Sequence, residues 1–94
     1  NDIQQQQPMN AAVAAYERAL DSYLYMLVAA DLDSVDDYEQ GPRIQDHRAW
    51  LRLREAAKDS GYFRYYGGSL APYASGKQGV KYTLLRVNEL ESGD

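Results

Sequence analysis

Residues 61–87 read GYFRYYGGSLAPYASGKQGVKYTLLRV, and the fold turns on how this stretch is taken. Tyr62-Phe63-Arg64-Tyr65-Tyr66 is aromatic and Val80 to Val87 is rich in β-branched and apolar residues, both the composition of strands. Val80, Tyr82 and Leu84 alternate with the period of two that puts them on one face of a strand. Between the two runs, Gly67, Gly68, Pro72, Gly76 and Gly79 punctuate a 13-residue segment, Gly67 to Gly79, that reads as a loop. Two adjacent strands joined in this way pair most simply as an antiparallel hairpin.

The chain before this stretch has the other periodicity. Val13, Tyr16, Leu20, Tyr23, Leu24, Leu27 and Val28 recur every three or four residues, which predicts a long helix beginning near Asn10, its expected N-cap. Ser34-Val35-Asp36-Asp37 has capping-box spacing, which predicts a short second helix over Val35 to Gln40, stopped by Gly41-Pro42. Asp46 is the expected N-cap of a third helix, His47 to about Asp59, closed by Gly61. Ala49, Leu53 and Ala56 would form its buried face, with the bases outside. The expected fold class is therefore α+β, two to three helices followed by an antiparallel β-hairpin. Residues 10–88 would form one domain, between a frayed tail (1–9) and a polar tail (89–94).

The 94 residues contain no cysteine, which excludes disulfides, a thiol nucleophile and a thiolate metal site. No apolar run is long enough to span a membrane. The first residues have neither the basic start nor the apolar stretch of a signal peptide, so a cytoplasmic address is expected by default. His47 is the single histidine. The acids from Asp31 to Glu39 lack the alternation, central glycine and final glutamate of an EF-hand, and no metal or other cofactor is expected. Ser75-Gly76-Lys77 fails the phosphate-loop pattern at Ala71 and Gln78, and no nucleophile elbow is present, so no enzymatic activity is expected.

Charge is segregated. Residues 1–41 hold eight acids and one base, whereas residues 42–88 hold nine bases and three acids, within a net charge of −4. Such polarity marks a face for an acidic or basic partner, or two segments that attract one another in the fold. Nine tyrosines, against one Phe and one Trp, suit interfaces or the edges of a small core.

The order of long helix, short helix, basic helix, strand, glycine-rich loop and strand resembles the winged helix-turn-helix class over residues 20–88. Leu24, Leu27 and Val28 correspond to the packing face of its first helix and Ile44 to the apolar residue of its turn. Ser60-Gly61-Tyr62-Phe63 is similar to the step from recognition helix to wing. The resemblance implies DNA binding, with His47, Arg48, Leu51, Arg52 and Glu55 reading bases and Arg54, Lys58, Arg64, Lys77, Lys81 and Arg86 contacting phosphates. A homodimer using Tyr16, Tyr23 or Tyr25 would accompany it. The second reading, from charge and size, is a small acidic interaction protein, an inhibitor or accessory factor of a phage or mobile element, of the anti-defence or anti-CRISPR kind. It would meet a protein with a basic surface through Asp31, Asp33, Asp36, Asp37 and Glu39, anchored by Tyr38, Tyr62, Tyr65, Tyr66 and Tyr73.

Overall fold

A computed structural model describes the backbone of residues 2–93 and the side chains of residues 8–93. It contains three helices: α1 (Asp2–Asp33), α2 (Asp37–Arg64) and α3 (Ala71–Ser92). No strand occurs among the described residues, which overturns both the α+β class and the winged-helix resemblance. The chain is an all-α three-helix bundle.

Neither expected strand forms: the second is wholly helical, and the first is helix up to Arg64 and turn at Tyr65 and Tyr66. Tyr62, Phe63 and Arg64 end α2, and Val80 to Val87 lies within α3. In α3 the β-propensity is overridden because, after Ala71 at its start, the residues that bury are Gly76, Gly79, Thr83 and Val87, spaced three and four apart. Two of these are glycines, so a pattern read only from large apolar residues misses the helical period. The expected 13-residue loop shrinks to a turn at residues 65–70. It is closed by Gly68 N–H donating to the Tyr65 carbonyl at 2.9 Å and turned by Gly67 at φ 85°. Pro72 then sits in the first turn of α3, where its missing N–H needs no partner.

The glycines that read as stops mark other things. Gly61 lies inside α2 and is buried, because a Cβ there would meet the Ala74 carbonyl oxygen and the Gln78 Cγ of α3 at 3.1 Å. Gly41 and Pro42 also lie inside α2, which merges the second and third expected helices. The cap is Asp36, whose carboxylate accepts from the Glu39 N–H at 3.1 Å, while Ser34 donates its hydroxyl to the Asp31 carbonyl at 2.6 Å. Asp46 is interior to α2, and Asn10 to α1. Helix extends through residues 89–92 as well, up to Gly93 at φ 76°. Asn1 and Asp94 lie outside the described residues.

Nothing lies within 4 Å of a Cβ built on Gly41, and the position is helical. Gly41→Ala is expected to raise the unfolding free energy by about 1 kcal/mol, read as a higher midpoint in thermal melts followed by circular dichroism.

α3 packs against both other helices, whereas α1 and α2 meet mostly through long side chains. Val13 approaches Gly76 and Glu17 approaches Gly79, so α1 and α3 run parallel. Glycine lets these backbones come close: a Cβ on Gly76 would stand 2.5 Å from Val13 Cγ1. Between α1 and α2 the ion pairs Asp31–Arg43, Asp21–Arg54 and Glu17–Lys58, at 2.5, 2.7 and 2.5 Å, descend one helix as they ascend the other. The acidic first segment and the basic second segment therefore attract one another inside the fold. The bundle measures 54 × 20 × 17 Å, and among the described residues the buried apolar side chains are few: Leu24, Ala71 and Val87.

Candidate functional site at the acidic end of the bundle

The face of α2 is the reverse of the expected one. Ala49, Leu53 and Ala56 are exposed, and Arg54 is buried among Trp50, Asp21 and Thr83. Its guanidinium donates to Asp21 Oδ1 at 2.7 Å and to the Thr83 hydroxyl at 3.2 Å, and lies 4.9 Å from the Trp50 ring centre. Lys58 pairs with Glu17, and Arg86 pairs with Asp46 at 2.8 Å and Glu89 at 3.1 Å. Three cations expected to contact phosphates are thus taken up by intramolecular carboxylates.

His47 and Leu51 are only partly exposed. The His47 ring stacks on Trp50 with centres 5.9 Å apart. Burial pushes its pKa below the usual 6.5, helped by the charges of Arg86 and Arg54 and opposed by Asp21 and Asp46. Because the unfolded chain binds that proton more readily, the folded state is favoured least at low pH. The contribution is fully present above about pH 6.5 and declines as pH falls through that value toward the lower folded pKa. Thermal midpoints measured between pH 7.5 and about 5.5 should fall for the wild type. His47→Gln should flatten that part of the profile.

Arg48, Arg52, Arg64, Lys77 and Lys81 form no ion pair among the described residues. They do not make one patch: Arg48 and Arg52 are on the outer face of α2, Arg64 ends that helix, and Lys77 and Lys81 lie on α3.

The residues of the second reading also divide. Asp31, Asp33, Asp36, Asp37, Tyr38 and Glu39 gather where α1 turns into α2, whereas Tyr62, Tyr65, Tyr66 and Tyr73 lie at the opposite end, where α2 turns into α3. No single flat surface can present both. At the far end Phe63 and Leu70 join the tyrosines, with Phe63 and Tyr66 stacked at 5.9 Å. A reading centred on tyrosine passes over both residues.

The acidic end is partly tied down. Arg43 binds Asp31, stands 3.9 Å from Glu39 and is held still more firmly protonated by the Asp31 hydrogen bond and charge. The Gln40 amide donates to the Leu32 carbonyl at 3.1 Å, which fixes the turn. Beside it a cavity of about 390 Å³ is lined by Asp31, Asp46, Arg43, Arg86 and Glu89, with both arginines paired. What projects outward is Tyr38, 90% exposed, between Asp37 and Glu39 and close in sequence to Asp33. Neither Asp33 nor Asp37 forms an ion pair among the described residues.

Among the described residues no group of three or more His, Asp or Glu side chains is placed to hold a metal ion. No described helix is long and apolar enough to cross a membrane. No family model, curated protein or solved structure matches the chain.

Proposed function

We propose that this chain is a non-enzymatic interaction protein whose acidic end docks on the basic surface of a protein partner and occupies it, as an inhibitor or accessory factor would. The observation that carries this reading is Tyr38, nearly wholly exposed on a capped helix start and flanked by carboxylates. An aromatic ring on a rigid element is an effective anchor, because little conformational freedom is lost when it is buried. Charge around it steers association and excludes acidic competitors. The net charge of −4 and the internal pairing of Arg54, Lys58 and Arg86 favour the same partner chemistry.

The test is quantitative affinity purification from the native host with three baits: wild type, Tyr38→Ala, and Asp33→Asn with Asp36→Asn, Asp37→Asn and Glu39→Gln. Asparagine in place of Asp36 would keep the cap. A basic protein retained by the wild type should be depleted roughly tenfold or more on both variants, the loss of a hot-spot anchor. Equal retention by all three baits contradicts the reading. Loss on the neutralised bait alone indicates generic charge attraction and contradicts the anchoring role of Tyr38.

One observation favours a second reading. Exposed Tyr65 and Tyr66 begin the turn directly after Arg64, with Lys77 nearby, an arrangement suited to stacking on single-stranded nucleic acid. It dispenses with the recognition helix and the wing.

A further inference from the structure

α1 and α3 lie side by side, and the face they share away from α2 is uncovered. Ala12, Val13 and Tyr16 of α1 and Tyr73 and Val80 of α3 line an open groove of about 460 Å³, with Lys77 and Lys81 on its rim. The apolar stripe continues up α1 to Tyr23, whose hydroxyl donates to Glu91 of α3.

We propose that a second copy of this chain covers this face, packed antiparallel about a two-fold axis passing near Leu84. The charges along α3 set the orientation. Lys77 and Glu91 are 14 positions apart, almost four helical turns, so they share one face with ~21 Å between them. Leu84 lies midway. Reversing a second α3 about that point brings Lys77 of each copy to Glu91 of the other, and Lys81 close to Asn88. A parallel arrangement would set lysine against lysine and is disfavoured.

Tyr16 and Tyr23, both about half exposed, supply the aromatic anchors of this interface. The dimer would place the two acidic ends on opposite sides of the axis, pointing in opposite directions.

Light scattering and sedimentation between about 5 and 200 µM test this, the range in which an interface of standard size assembles. Twice the 10.6 kDa chain mass is expected at the upper concentrations. Lys77→Glu alone and Glu91→Lys alone place like charges together twice, and each should weaken the homodimer roughly tenfold or more. An equimolar mixture of the two variants restores both complementary pairs, and its heterodimer should regain wild-type affinity. Circular dichroism of each variant establishes that it is folded, and Tyr16→Ala, at an exposed position, gives an independent weakening. A single-chain mass throughout, a dimer indifferent to Lys77→Glu, or a mixture no tighter than its components would each overturn the proposal.

Discussion

Arg54→Ala should lower the unfolding free energy by about 2–4 kcal/mol, enough to leave a bundle of this size marginal. Three interactions end together: the 2.7 Å pair with Asp21, the hydrogen bond to Thr83 and the contact with the Trp50 ring. Thr83 is fully buried, so its hydroxyl loses its donor without gaining water. The Asp21 side chain is half exposed, which softens the penalty and places it below that of a fully enclosed pair. Arg54→Met fills the volume without the charge and should recover part of the loss. Urea unfolding followed at 222 nm measures both, and a loss under about 0.5 kcal/mol for Arg54→Ala contradicts the packing of α2 described above.

Gly76→Ala is the second large effect, and its sign depends on its neighbour. Helix propensity favours the change by about 1 kcal/mol. Against this, the new methyl would be 2.5 Å from Val13 Cγ1, and a β-branched side chain in a helix has almost no alternative rotamer. Overpacking of this kind costs about 1–3 kcal/mol, so the net expectation is destabilisation. In a Val13→Ala background the obstruction is gone and the same substitution should stabilise the chain. The coupling between the two sites should therefore reach about 2 kcal/mol in a double-mutant cycle. Were residue 76 in a mobile loop, the two substitutions would simply add.

These two sites also show what can be read in the sequence. The spacing of Val13, Leu20, Leu24, Leu27 and Val28 predicts the helix that α1 contains, and Leu24 is its most buried side chain. The second half misleads because Gly41, Gly61, Gly76 and Gly79 read as breaks. In a three-helix bundle with large side chains outside, glycine at Gly61, Gly76 and Gly79 instead lets a neighbouring helix approach. Tyr62 to Tyr66 and Val80 to Val87 have real β-propensity, but a short apolar run does not distinguish a strand from a buried helix face. The orientation of α2 has a legible signal. Glu17 and Asp21 are four residues apart, as are Arg54 and Lys58, and two such steps on antiparallel helices form a matched ladder. Charge by itself suggests an exposed Arg54, whereas a paired guanidinium can be buried. The acidic turn is visible in the sequence as a cluster. Its separation from Tyr62, Tyr65, Tyr66 and Tyr73 is not, since that depends on which segments are helical.

Arg43, Arg54, Lys58 and Arg86 are paired within the fold, and the proposed consequence is that the chain meets its partner with its acidic end. Fluorescence anisotropy of labelled duplex and single-stranded DNA, titrated with the protein at about 50 and 200 mM salt, tests that consequence most directly, because phosphate contacts carry a salt dependence. No saturable binding is expected at either salt concentration. Saturable binding at the lower salt that weakens roughly tenfold or more at the higher would contradict it and return the function to Arg64, Lys77, Lys81 and the aromatic turn.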